Sequence, residues 1–437
     1  MRKKWILSAA AVVLIVGTVF LFGYSFLRPQ PVTLEFGMFA GSNWGVADAN
    51  SYTIIDKAIA KFESQHKNVK VHYYSGILKE DYSEWLSRQT LKGSMPDVFM
   101  ILSNDFNKFS SMGVVKDLDP LMARDPDFHA SNYYSTTLNT GKYLGVQYAL
   151  PYETVPELMF VNKTLLQKNG IEIPNNNWTW NDMYRICSKV TKDVNHDGTL
   201  DQFGVYDYSW MEAAYSNGAD FFNSSGTEAY FTNDKVLNSI KFIKQLYDLN
   251  RGAKVTVKDF ESGNVAFRPF LFSDYRTYKT YPYKLKKYSQ FQWDCITLPA
   301  GPDGGNTSMI NTLLMGISDE TSHEQLAWEF LKTLTGDPEL QTDIFRYSQG
   351  VSVLKSVTRS KEAEKILQDD METSEKTINN DLLDSIIEKG RIEPKFNKYD
   401  EAMSLADNEI GKIIEEDKDT GSAMKIFQRD ISSFLRR

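Results

Sequence analysis

The sequence is poor in histidine and cysteine and carries no surplus of positive charge. Of 437 residues, five are His and two are Cys. Cys187 and Cys295 lack the close spacing of a metal-ligand set, and two are too few for a disulfide framework. They read as small buried apolar residues. A single disulfide between them is the alternative in an oxidising exterior. The histidines, His66, His72, His129, His196 and His323, are scattered. There is no G-x-S-x-G and no G-x-x-x-x-G-K-[ST], so the chain has neither a nucleophile elbow nor a P-loop. "HEQLA" at His323 starts like a zinc-protease helix, but Ala327 stands where the second His is needed. Lys and Arg total 49 against 57 Asp and Glu, a net charge of -8. Beyond the first residues the only basic cluster is the short "KLKK" from Lys284. Nucleic acid is therefore not an expected partner, since its binders present a basic patch.

The N-terminus differs from the rest. Arg2, Lys3 and Lys4 precede an uncharged apolar run from Trp5 to Leu27. Such a run is long enough to span a bilayer, and its positive flank places the N-terminus inside. No A-x-A cleavage site or lipid-bearing Cys follows. Residues 1–31 are therefore expected to be a membrane anchor and linker, with the bulk of the chain on the extracellular face. Cleavage and secretion is the alternative.

With 42% hydrophobic and 13% aromatic residues, the remainder can bury a sizeable core. "VTLEFGMF" alternates like a strand. In "SYTIIDKAIAKFESQH", Ile54, Ile55, Ala58, Ile59 and Phe62 recur at helical spacing. "VKVHYYS" is a second strand, "EDYSEWLSRQTLKG" a helix ending at Gly93, and "MPDVFMIL" a third strand. This alternation predicts an α/β fold with βαβ crossovers and a mostly parallel sheet. Ligands in such sheets bind beyond the carboxyl ends of the strands. "NDMYRICSKVTK", "DKVLNSIKFIKQLYDLN" and "SHEQLAWEFLKTL" read as helices, and so does the charged tail.

One loop carries a specific signal. In "TKDVNHDGTLDQFGV", Asp193, Asn195, Asp197 and Asp201 stand at alternating positions around Gly198. The spacing suits an oxygen-only calcium loop, with Thr199 supplying its carbonyl. Gly204 takes the place of the closing Glu, and the exit "FGVYDYS" reads as a strand, so an EF-hand that opens on binding calcium is not available. The bland alternative is an Asn/Asp/Gly turn without metal.

Several fragments, in fixed order, resemble the sugar-binding, solute-binding proteins of ABC importers, the group that includes maltose-binding protein. "GSMPDVFMI" is similar to the family's PDV strand. "GKYLGVQYALPYETVPELMFVNKTLLQKNGI" resembles its GKxYGxPY…xxYNKxLxxxxG segment through Gly141, Lys142, Gly145, Asn162, Lys163 and Gly170. "NWTWNDM", "FESGNVAF" and "AWEFLKTLTGDPELQ" resemble its TWxE/D, FxxGxAAM and AxxFxxFLxxxE segments. "PFLFSDYRTY" departs from the pattern, lacking the Gly-x-W found there.

The resemblance implies a periplasmic-binding-protein-like fold of two lobes that close on a ligand by hinge motion. Residues 32–150 and 300–346 would form one lobe, and 151–299 and 347–437 the other. Crossovers are expected near Ala149–Pro151, Ile296–Pro302 and Tyr347–Val351. The resemblance also implies that no reaction is catalysed. The expected partners are a carbohydrate, probed by aromatic faces and polar groups, and permease subunits with a separate ATPase. The chain itself is expected to be a monomer. The family pattern places Trp44, Asn104, Asp105, Glu153, Trp210, Tyr275, Arg276 and Asn306 at strand ends or lobe edges, as candidate ligand contacts. Alginate-binding relatives carry a helix–loop–strand calcium site in which the residue after the last Asp also coordinates. Here that residue is Gln202. The expected cofactor is thus a structural Ca2+ on Asp193, Asn195, Asp197, Thr199, Asp201 and Gln202. Two other readings stay open: a ligand-sensing ectodomain and a polysaccharide-degrading enzyme.

Overall fold

The computed structural model describes residues 31–46, 50, 52–279, 288, 290–369 and 378–437. The expected membrane anchor falls on residues 1–30, outside this set. Among the described residues no helix is long and apolar enough to cross a membrane.

The strands, in chain order, are β1 (Val32–Gly37), β2 (Val69–Tyr74), β3 (Val98–Ile101), β4 (Lys142–Tyr143), β5 (Val146–Gln147), β6 (Ala149–Asn162), β7 (Phe203–Val205), β8 (Val265–Leu271), β9 (Trp293–Ile296), β10 (Ile310–Ile317) and β11 (Val351–Ser352). β4 and β5 form a small hairpin; the main path runs β2-β1-β3-β10-β6-β8-β7, with β9 and β11 also paired to β6. The expected parallel sheet holds for β1, β2 and β3 and for β7 with β8. β10 runs antiparallel to β3 and β6, and β6 runs antiparallel to β8, β9 and β11. The sheet is therefore mixed. Helical crossovers build the parallel parts, while segments passing between the lobes return in the opposite direction.

Local sequence explains the elements. The helix Thr53–Gln65 buries Ile54, Ile55, Ala58 and Phe62, one stripe at helical spacing. The helix Lys79–Lys92 ends at Gly93 with φ +61, a left-handed cap that glycine adopts without strain. β3 is buried along its whole length, in keeping with its unbroken apolar run. The helix Trp180–Val190 begins with a capping box between Thr179 and Asp182.

β6 joins the two lobes. Its first part, to Pro156, pairs with β10; from Glu157 onward it pairs with β8. Proline has no N–H to give a ladder, so Pro156 suits the point where the partner changes. Pro151 sits beside a register shift in the β10 ladder, for the same reason.

The tail divides between the lobes, where the sequence reading assigned everything after 347 to the second. β11 pairs with the first part of β6, and Tyr134 Oη, next to the helix Ser135–Asn139, donates to Asp384 at 2.6 Å. Thr136 Oγ1 donates to the Ile387 carbonyl. The last two helices, Tyr399–Glu415 and Thr420–Arg436, instead bury Ala406, Ile410, Phe427 and Ile431 in the second-lobe core. Amphipathic helices announce a buried face but not the surface that covers it. Cys187 and Cys295 are buried free thiols.

Candidate functional site

Three chain segments meet at one carboxylate. The loop after β1 turns at Gly41, whose φ of +88 is glycine territory. It then presents Ser42, Asn43 and Trp44. β6 supplies Tyr152 and Glu153, and the segment following the helix Pro338–Tyr347 supplies Ser348. Trp44 Nε1 donates to Glu153 Oε1 at 2.8 Å, and Ser348 Oγ donates to Glu153 Oε2. Gln341 Nε2 donates to the Tyr152 carbonyl at 2.9 Å, tying the same helix to β6. A small pocket of about 30 Å³ opens here, lined by Phe39, Ser42, Asn43, Tyr152, Glu153 and Tyr347, among others. An aromatic ring edge, hydroxyls, amides and a carboxylate thus share one wall, a lining suited to a polar ligand with apolar faces.

Of the sequence-derived candidates, the structure brings Trp44 and Glu153 together. Asn104 and Asp105 open the helix Ser103–Ser111 beyond β3. Asn104 is exposed, whereas Asp105 is buried and accepts from Ser83 Oγ at 2.5 Å. Burial raises the Asp105 carboxyl above its usual range, against the pull of Ser83. The other four candidates lie elsewhere, in packing positions. Trp210 is 2% exposed, packs at a tilt against Phe221 and Phe231, and donates Nε1 to Asp407. Tyr275 and Arg276 sit inside the helix Phe272–Tyr278 rather than on a loop, both buried. Arg276 Nη2 donates to the Phe345 carbonyl at 2.7 Å. Asn306 Nδ2 bridges the Trp178 and Leu298 carbonyls and holds the Gly-rich turn in place. The reading from sequence missed Ser42, Asn43, Tyr347 and Ser348. Their position at the first loop and the third crossover was the available signal.

Further along β6 the chain presents a second carboxyl, Glu157. Residues 153 and 157 share one face of the strand, roughly 13 Å apart. Glu157 is half-buried, its N–H donates to the Met309 carbonyl, and its carboxyl has no hydrogen bond or ion pair among the described residues. Burial, then the neighbouring Glu212 and Asp207, push its carboxyl well above the usual range. Glu212 spends Oε2 on the Ser209 N–H and Oγ in a capping box, and burial still raises it. Asp207 is exposed, with φ +63, and meets Arg268 at 3.2 Å.

Residues 47–341, more than half of the chain, match the family described as bacterial extracellular solute-binding protein. The chain belongs to that family. A binding protein of Brucella abortus (strain 2308) is 24% identical over 261 residues, which are 55% of this chain and 59% of the relative. This solute-binding protein therefore matches little more than half the length of that curated relative. Two solved structures share its fold. An ABC substrate-binding protein of Listeria monocytogenes, in complex with cycloalternan, has a TM-score of 0.69 at 18% identity, over 93% of this chain and 99% of that one. The cyclic alpha-maltosyl-1,6-maltose binding protein of Arthrobacter globiformis has a TM-score of 0.77 at 14% identity, with the same coverage.

The acidic loop of this solute-binding protein lies between the helix Trp180–Val190 and β7. Its carboxylates are occupied by the loop's own donors. Asp193 accepts from the N–H groups of His196 and Gly198, Asp197 from Thr199, and Asp201 from Val194 and Asn195. Asn195 Nδ2 stands between Asp197 and Asp201, at 3.1 and 3.2 Å. The Gln202 amide oxygen accepts from Asn169. Among the described residues no group of three His, Cys, Asp or Glu side chains converges as a metal set. The donor chemistry is all oxygen, as calcium requires, once the Asn195 amide turns its oxygen inward.

Proposed function

We propose that the protein captures a carbohydrate outside the cell membrane and hands it to the permease of an ABC importer. The observation that carries this reading is the small pocket beside Glu153, on the first-lobe side of β6. There Trp44, Glu153 and Ser348 come from three segments and meet at one carboxylate. The family match supports a solute-binding role, and the ligands named for the two structural relatives support a sugar. Delivery to a permease, with a separate ATPase supplying energy, follows from the family's role. Titration calorimetry against a panel of oligosaccharides, followed by product analysis, tests the proposal. Saturable binding with the sugar recovered intact is expected; steady turnover would replace the importer reading with an enzyme.

Two subsidiary readings go with it. The run from Trp5 to Leu27 would hold the protein at the membrane, so it should sediment with membranes rather than appear in the medium. Calcium on Asp193, Asn195, Asp197, Thr199, Asp201 and Gln202 would tie helix to strand within the second lobe, without an open coordination site for chemistry.

A further inference from the structure

We infer that Lys57 is a positioning residue for the pocket beside Glu153. From the helix Thr53–Gln65 it fixes the ring of Tyr347, and with it the segment that presents Ser348, where a ligand is gripped. The inference rests on the carbohydrate reading of that pocket and names a residue outside the lining on which its affinity depends.

The pocket draws its lining from two helices that Lys57 joins. Asn50 and Ile54 come from the approach to the helix Thr53–Gln65 and from its first turn, and Tyr347 and Ser348 from the end of the helix Pro338–Tyr347. Lys57 lies one turn beyond Thr53. Its Nζ meets Asp343 Oδ2 at 2.7 Å and stands 4.6 Å from the centre of the Tyr347 ring. An ammonium in that place is attracted by the ring's negative face. Asp343 precedes Tyr347 by four residues, so the two share one side of their helix. The hydrogen bond to Asp343 raises the Lys57 ammonium above its usual range, against some desolvation, so the cation stays charged.

The fold does not need this cation as much as the pocket does. The Asp343 side chain is 2% exposed, and Arg346 Nη1, on the same helix, takes its other oxygen at 2.8 Å. Lys61 ties the same two helices at their other end, meeting Asp337 at 2.7 Å and Glu339 at 2.9 Å. A buried carboxylate with its own cation, in a helix pair tied elsewhere, is already provided for. What Lys57 adds is a charge brought from 286 residues away and set over a ring of the pocket wall. The pocket is small, about 30 Å³, so a shift of one ring changes what it admits.

The test follows binding through a double-mutant cycle. Maltotriose and mannotriose are titrated first into the full chain in detergent, then the rest of the oligosaccharide panel. The tightest binder is carried through the parent, Lys57→Met, Tyr347→Ala and the double variant. Met keeps the stem and drops the charge. Lys57→Met should bind about threefold to tenfold more weakly, the worth of one cation–π contact, with its urea midpoint near the parent's. Lys57→Arg, which can also pair with Asp343 and cover the ring, should restore the affinity. The double variant should bind like Tyr347→Ala alone, because Lys57 acts through that ring. Unchanged affinity in Lys57→Met or in Tyr347→Ala, or losses that add in the double variant, would overturn the inference and leave the carbohydrate reading standing. So would a midpoint that falls with the affinity and is not rescued by Arg, which would assign Lys57 to the fold alone. A parent that binds no sugar of the panel would remove both.

Discussion

Glu153 and Glu157 lie on one strand and one face, four residues apart, and their surroundings are opposite. Glu153 is 5% exposed and saturated by donors from two other segments. Glu157 is more accessible, its carboxyl has no partner among the described residues, and Glu212 and Asp207 add like charge. The first carboxylate holds the first loop to the third crossover, so it contributes to the fold as well as to the pocket. The second contributes nothing visible to stability and is costly to keep ionised.

The comparison can be broken at either end. Glu153→Ala removes the acceptor for a buried indole N–H and for the Ser348 hydroxyl. Each orphaned donor costs about 1–3 kcal/mol. A loss of about 2–4 kcal/mol in urea unfolding is expected, together with weaker ligand binding, because the junction loosens. Stability within about 0.5 kcal/mol of the parent would mean that the carboxylate pins nothing.

Glu157→Gln should act in the other direction and less strongly. A carboxyl raised in the folded state binds its proton more tightly there than in the unfolded chain. Stability of the parent must then fall as pH rises from the ordinary Glu value, about 4.3, through the raised one. Gln cannot ionise, so the variant should match the parent near pH 4 and exceed it at pH 7.5, by about 1 kcal/mol. Glu212, also raised, keeps its own slope in both proteins and cancels in the difference. Unfolding curves for the ligand-free proteins at the two pH values decide this. A variant less stable at pH 7.5 would show that Glu157 has a structural partner after all.

The legibility of these parts from sequence follows the same line. Elements set by local periodicity were readable: the stripe Ile54, Ile55, Ala58, Phe62, the buried run of β3 and the cap at Gly93. Trp44 and Glu153 were candidates by position alone, the first straight after a strand and the second at a crossover, and the structure brings the two together. What failed to show were choices made by tertiary pairing. Nothing in "INTLLMGI" states that β10 runs antiparallel between β3 and β6, because a strand buried on both faces carries no mark of direction. Tyr275 and Arg276 looked like loop residues, but a seven-residue helix follows β8, started by Asp274 accepting the Leu271 N–H. Glu157 carries no motif. In sequence it is one polar residue in a strand, and its significance comes from Glu212 and Asp207, which are far along the chain and near in space.

The acidic loop offers the finest test of the same distinction. Its carboxylates resemble Glu153 rather than Glu157, because each already has an N–H donor from the loop. Calcium would have to take the place now held by the Asn195 amide between Asp197 and Asp201. Oxygens keep their backbone bonds when a cation arrives on a second lone pair, so binding needs only that amide to turn. The gain is therefore modest: at calcium a hundredfold above its dissociation constant, about 2.7 kcal/mol. Melting in millimolar calcium against chelator should show a rise that Asp197→Ala abolishes and Glu157→Gln preserves. An unchanged melting temperature, with no calcium in elemental analysis, would make the loop a self-satisfied turn.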